Sequence, residues 1–303
     1  MWTKQHRVRH EPHLKEMVSR GAEKQVAQWL ERADPPRSEA ATPTLAVVRA
    51  IAWHLRVGAP WRALPSHMPP WRTVYGWFRR WLGLGLFDRL MCEVAMRRRR
   101  VAGRRARPTL GIIDTQTVTC IPVRGPRGYD AAKLTVGRKR VVLVDADGVW
   151  LAVATVPASV QERDTLPALD VGSENWPGLR LAIFDAGFTA DRCREWANFH
   201  GMRHHVVSRE PGQKGFVVLP RRWVVERSFG WLAHWGGLLR DRAGRLDVSA
   251  GRLAFAAILA GLQAVLNPQP QFAPLDCETL TQTGSERTVA PSEPAPTSIV
   301  TRP

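Results

Sequence analysis

Three carboxylates stand where carboxylates are costly. Asp114 interrupts the apolar run LGIIDTQTV, Asp185 closes LRLAIFDAGF, and Glu226 lies in LPRRWVVERSFGWL among tryptophans, valines and a phenylalanine. An acid in such surroundings must be paired, hydrogen-bonded or bound to a cation. Two of these acids sit on strand-like runs and the third on a helix-like one, so they can converge at one end of a sheet. Oxygen-only ligation of that kind suits Mg²⁺ or Mn²⁺ and not zinc. Two such ions about 3.5–4 Å apart activate a water or a 3′-hydroxyl and stabilise the leaving oxygen of a phosphodiester. Glu226 also has a plainer reading, an intrahelical pair with Arg222 four residues earlier, or a pair with Arg227.

Nearby acids and imidazoles have structural readings. Asp145 either points into the same site or, the favoured reading, belongs to a hairpin turn with Asp147, and Asp164 of QERD is a helix cap or surface acid. His204 and His205 flank the start of a strand.

The elements that must hold the three acids follow from periodicity. LGIIDTQTV is a strand, and GRKRVVLVDADGVWLAVATV reads as two strands joined at Asp147-Gly148, a strong hairpin signal. VQERDTLPALDVG is a short helix, LRLAIF a buried strand, TADRCREWANFHG a helix and HHVVS a strand. The stretch 219–232 enters a helix from Pro220, and its apolar neighbours predict that the helix, Glu226 included, is mostly buried. A hairpin followed by strands alternating with helices implies an α/β domain, a mixed sheet with helices packed on it.

Ahead of this domain the pattern is helical and the charge is lopsided. The 303 residues carry a net charge of +17, and residues 1–108 hold 22 Lys+Arg against 8 Asp+Glu. Such asymmetry suggests a polyanion partner, since each neutralised phosphate releases counterions. Residues 44–100 predict three short helices, the middle one (WRTVYGWFRRWL) carrying Arg72, Arg79 and Arg80, and the third ending in RRRR. This suggests a small all-α, helix-turn-helix-like DNA-binding domain. Residues 1–43 form a polar segment and linker with one short helix near 14–30; 101–108 is a basic linker, 109–268 the α/β domain, and 269–303 a Pro/Ser/Thr-rich disordered tail. The four cysteines are scattered without a CxxC pair, and the N-terminus lacks an apolar signal region. The longest apolar run, 253–266, contains glycine and is short for a bilayer. A cytoplasmic chain with no membrane contact is expected.

The segments DTQTV, GYDAAKLTVGRKRVVLVDADG, QERD, FDAGF and LPRRWVVERSFGWL, in that order, resemble the DDE transposases of bacterial insertion sequences, the insertion-sequence-five and -four group. GAPWRALPSHMPPWRTVYGWFRRW is similar to the helical region that precedes their catalytic domain. The resemblance implies an RNase H-like fold and a catalytic, metal-binding triad of Asp114, Asp185 and Glu226, with Mg²⁺ or Mn²⁺ as cofactor. It implies DNA strand cleavage and strand transfer at inverted repeats, with a homo-oligomer assembled on transposon ends and target DNA. Arg222 matches an arginine that contacts DNA or positions the acid, and Lys133, Arg138, Lys139 and Arg140 match a basic stretch lining the DNA path. After Glu226 the chain has AHWGG where that group carries arginines. The alternative is a catalytically inactive or repurposed DNA-binding derivative.

Overall fold

The structure, a computed structural model, describes residues 20–36, 42–121, 124–207 and 223–267. Four helices come first. α1 (Arg20–Ala33) buries Ala22, Val26, Ala27 and Leu30, one stripe at helical spacing. α2 (Thr44–Val57) starts directly after Pro43 and α3 (Trp71–Gly83) directly after Pro70, where the missing N–H costs nothing. α4 (Leu86–Val101) ends in the four arginines. α2 stops at Gly58, whose φ of 74° suits glycine and whose N–H donates to the His54 carbonyl. A Cβ there would come within 2.8 Å of the Gly236 backbone, so the close approach requires glycine as well.

Six strands follow: β1 (Leu110–Thr119), β2 (Gly128–Asp130), β3 (Thr135–Val144), β4 (Trp150–Pro157), β5 (Leu181–Phe184) and β6 (Arg203–Val206). They form one sheet in the order β2-β3-β1-β5-β6, with β4 also paired to β3. β1 runs antiparallel to β3 and parallel to β5, and β5 parallel to β6. The β3–β4 turn falls on Asp147-Gly148 as the sequence predicts, with Gly148 at φ 77°. α5 (Asp170–Glu174) and α6 (Asp191–Phe199) lie between strands; α7 (Trp223–Trp231), α8 (Gly236–Leu239) and α9 (Leu246–Leu266) close the described chain. This is the mixed sheet with flanking helices of an RNase H-like fold.

Strand alternation divides the core. Ile112, Val142, Val144 and Ile183 share one cluster with Val224, Val225 and Phe229 of α7, with α9 and with the N-terminal helices. Ile113, Val141, Leu143, Ala182 and Phe184 belong to a second, with Phe188, Cys193 and Trp196. The apolar run 253–266, expected to be short for a bilayer, lies within a continuous 21-residue helix, Leu246–Leu266. Its length and composition would suit a membrane span, but 78% of its apolar window is buried inside the protein. Phe255 meets Phe87 of α4 edge-on at 5.4 Å. Because α1 to α4 pack on α9, the described residues form one compact unit and the helical region shares its core with the sheet. The expected tail, 269–303, and the residues before Arg20 lie outside the described residues.

Candidate active site

Register brings two of the three predicted acids together. Ile112 of β1 pairs with Ile183 of β5 in a parallel ladder. Two residues beyond that pair come Asp114, still within β1, and Asp185, the first residue after β5, on neighbouring chain segments of a sheet whose strands lie about 5 Å apart. Alternation puts both on the face occupied by Ile112 and Ile183, the face that α7 and α9 cover. Asp114 is buried at 7% exposure, and its Oδ1 accepts from the Thr115 N–H at 2.7 Å. Asp185 caps the 3₁₀ turn Ala186–Phe188, its Oδ1 accepting from the Gly187 N–H at 3.0 Å. β5 ends here while β1 and β3 continue, so the pair sits at the carboxyl edge of the parallel strands, where open α/β sheets place their ligands.

A fourth acid, which sequence spacing does not single out, joins this edge. Glu162 of QERD accepts from the Thr115 hydroxyl at 3.0 Å. Its other oxygen lies directly over Gly187: a Cβ on Gly187 would come within 1.9 Å of it. Glu162 therefore touches the residue after Asp114 and the residue two after Asp185. Only the glycine of FDAGF leaves room for it, a weak signal that the sequence does carry. Asp164 of the same segment pairs with Arg192 at the surface.

Glu226 is placed differently from expectation. α7 buries Val224, Val225, Ser228 and Phe229, and Glu226, about half a turn from that stripe, is exposed. The helix is pinned at the opposite end of the sheet. Arg227 donates to the Asp147 carbonyl at 3.0 Å, and the Ser228 hydroxyl donates to the Val224 carbonyl at 2.9 Å beside Gly148. The oxygens of Asp114 and Asp185 match the donor chemistry of a hard divalent cation. Among the described residues, however, no three acid, imidazole or thiol groups converge closely enough to hold an ion. Asp114, Asp185 and Glu226 are therefore not gathered into one such group in this conformation. Arg222, the predicted partner, lies outside the described residues.

Comparison with known proteins adds the deciding observation. The family model "Transposase DDE domain" matches residues 105–262, more than half of the chain and all three acids. The chain belongs to the DDE transposase family. A second model, "Putative transposase of IS4/5 family", matches residues 24–91, the helical region. The "Putative transposase for insertion sequence element IS402" of Burkholderia cepacia is 28% identical over 146 residues, covering 46% of this chain and 68% of that one.

Within this DDE fold the predicted DNA-contacting residues divide sharply. Arg138, Lys139 and Arg140 were expected along a DNA path, but β3 is flanked on both edges and all three are buried. Arg138 donates to the Pro126 and Ala243 carbonyls and pairs with Asp241 at 3.1 Å. Lys139 donates to the Val160 carbonyl at 2.8 Å. Arg140 donates to Gln116 Oε1 at 3.1 Å and to the Leu238 carbonyl. Desolvation pushes the Arg140 pKa down to about 10. These three cations hold the fold together and are not presented to a ligand.

Lys133, by contrast, is exposed on the loop before β3. Arg72 is exposed beside the Trp71 ring, at 5.6 Å from its centroid. Arg79 is half-buried, 3.9 Å from Asp247. Arg80 is held by Asp34 through two bonds of 2.7 and 2.6 Å, so its fork is already engaged. The RRRR run is likewise split around α4. Arg99 is buried against Asp145, Arg97 reaches Gln25, Arg98 lies over the Trp231 ring, and Arg100 is exposed. Asp145, fully buried, also accepts from the Asp147 and Val149 N–H groups, the turn role expected of it. His204 bonds the Phe188 carbonyl at 2.9 Å.

Proposed function

We propose that this chain cuts and joins phosphodiester bonds at the inverted repeats of an insertion sequence, with Asp114, Asp185 and Glu226 as its catalytic acids. The observation that supports the reading is the placement of Asp114 in β1 and of Asp185 just after the neighbouring parallel strand β5, each two positions beyond the Ile112–Ile183 pair at the carboxyl edge of the sheet. A bound Mg²⁺ or Mn²⁺ would polarise the scissile phosphate and sharpen the attacking water or 3′-hydroxyl. Asp114 and Asp185 supply oxygen donors from a rigid sheet, so their separation changes little between turnovers. Glu226 stands on the helix that covers the same face. Glu162 positions the pair, fixing Thr115 through its hydroxyl and bracing the turn behind Asp185. Arg72, Arg79 and Lys133, with Arg222, contact the DNA backbone.

The test is nicking of a supercoiled plasmid that carries the DNA flanking this reading frame, with Mg²⁺ or Mn²⁺ against EDTA. Cleavage is expected to vanish in Asp114→Ala, Asp185→Ala and Glu226→Ala while DNA binding persists; unchanged cutting by Glu226→Ala removes that residue from the triad. Gly187→Ala should impair cutting by driving Cβ into the Glu162 carboxylate, and Glu162→Ala in the same chain should relieve that clash. Additive losses in the double variant would contradict the bracing role.

One observation favours a second reading. The three acids do not gather into one metal-holding group, as expected of a derivative that binds transposon ends without cutting them. Wild-type binding with no nicking in either metal would select it.

A further inference from the structure

The β2–β3 hairpin presents an exposed apolar face among the described residues. Tyr129 and Val136 are directly opposed in the ladder and so share a face. They are 52% and 50% exposed, and Leu134, two residues before Val136, is 77% exposed. The other face is occupied: a Cβ on Gly128 would come within 2.2 Å of Ser159 Oγ. The hairpin is thus propped from behind and bare in front.

Its tip is rigid. Buried Asp130 accepts from the Ala132 and Lys133 N–H groups at 3.1 and 3.2 Å and from the Thr117 hydroxyl at 2.5 Å. The Thr135 hydroxyl donates to the Lys133 carbonyl at 2.8 Å. This scaffold holds Leu134 at φ 49°, the one positive φ outside glycine among the described residues. A left-handed leucine is disfavoured, and one exposed to water recovers nothing by burial. Glycine or asparagine would serve the turn better.

Position and charge say what the face meets. Val142 of β3 is opposite Asp114, and Leu134 lies eight residues back along the same strand, about 25 Å away. β1 and β3 run past the end of β5, so the hairpin projects from the edge that carries the aspartate pair. A duplex laid along this ribbon would meet Leu134 about seven base pairs from Asp114, at 3.4 Å per pair. Arg124 and Arg127 precede β2 in the chain, Lys133 lies in the turn, and all three are exposed, whereas the one acid of the hairpin, Asp130, is buried. Three side chains fall far short of the roughly 800 Å² per partner of a stable protein interface. An apolar wedge ringed by cations is what duplex DNA accepts in its minor groove.

We propose that the Tyr129–Leu134–Val136 face is a DNA-contact surface, with Leu134 as a wedge that unstacks one base step of the bound duplex while Lys133, Arg124 and Arg127 grip the flanking phosphates. This rests on the transposase reading. It is tested with the full chain and a 40-base-pair duplex of the DNA flanking the reading frame, with 2-aminopurine walked one position at a time. Wild type is expected to raise fluorescence several-fold at one or two adjacent positions. Leu134→Ser and Leu134→Gly should abolish the rise and weaken binding about tenfold. Leu134→Gly should also melt at an equal or higher temperature, because glycine relieves the positive φ. A structural role for the leucine predicts the opposite shift. Lys133→Ala should lower the salt slope of binding by about 0.9.

Binding by wild type without any rise, or a rise that survives in both leucine variants, overturns the wedge and leaves the transposase reading standing. A wild-type chain that binds no duplex overturns both. Loss of self-association in Leu134→Ser, with the rise intact, would assign the face to a second copy of the chain and overturn the proposal.

Discussion

Two sets of cations in this protein look alike in composition and have opposite fates. One set is interior: Arg138 and Arg140 of β3 and Arg252 of α9, all at most 4% exposed, gather around the single carboxylate of Asp241. Other donors of the set go to the main-chain carbonyls of Gly237, Leu238 and Ala243 and to the Gln116 side chain. Burial pushes the pKa of both Arg140 and Arg252 down to about 10, which leaves them charged at neutral pH. The other set, Arg72, Arg100 and Lys133 among them, is spread over the surface. The interior set ties the segment between α7 and α9 to the sheet; the surface set is free to meet a polyanion. A count of basic residues therefore overstates what DNA can feel.

The comparison can be broken in four places. The largest effect belongs to Asp241→Ala, which strips three buried guanidiniums of the carboxylate they share; a loss of roughly 3–5 kcal/mol is expected in denaturant unfolding. A loss under about 1 kcal/mol would mean that the carbonyls alone suffice. Arg140→Met should cost about 1–3 kcal/mol by stranding the Leu238 carbonyl, and it should leave the salt dependence of DNA binding unchanged. A reduced salt slope would return Arg140 to the DNA path.

The third test uses His54, buried at 2% exposure and stacked on Trp61 at 3.7 Å, near Arg252 and Arg242. Desolvation first, and then the field of Arg252, lower its pKa to about 3. The unfolded chain binds this proton near pH 6.5 and the folded chain does not, so the stabilisation is complete above about 6.5. It declines as pH falls toward 3, by at most about 1.4 kcal/mol per pH unit. His54→Phe should flatten that part of the melting-temperature profile, and an unchanged slope would show that other groups dominate it. The smallest effect is predicted for Arg72→Ala and Lys133→Ala. Each should move stability by less than about 0.5 kcal/mol while weakening DNA binding and its salt slope. A large drop in melting temperature would move either residue into the interior set.

What the sequence reveals follows from the range of the forces involved. Helix starts after Pro43 and Pro70, the Asp147-Gly148 turn and the strands bearing Asp114 and Asp185 are local, and each is readable from neighbouring residues. The burial of 138–140 is not, because Asp241 and the Leu238 and Ala243 carbonyls lie about a hundred positions away. Glu162 was missed for the same reason, since it reaches Thr115 across 47 positions. Glu226 was misjudged on a subtler ground. Valines and a phenylalanine do surround it, but its place on the helix points it away from the stripe that Val224, Val225, Ser228 and Phe229 bury.

The last helix carries a consequence for how this protein is made. α9 ends at Leu266, yet it supplies Phe255, Ile258 and Leu259 to the core in which α1 to α4 are packed. A ribosome releases those early helices long before their partner exists, so their apolar stripes must wait for nearly all of the described chain to be synthesised. Folding is then a late, whole-chain event, and a message truncated ahead of residue 246 yields no free-standing DNA-binding fragment but an unfinished core open to proteolysis.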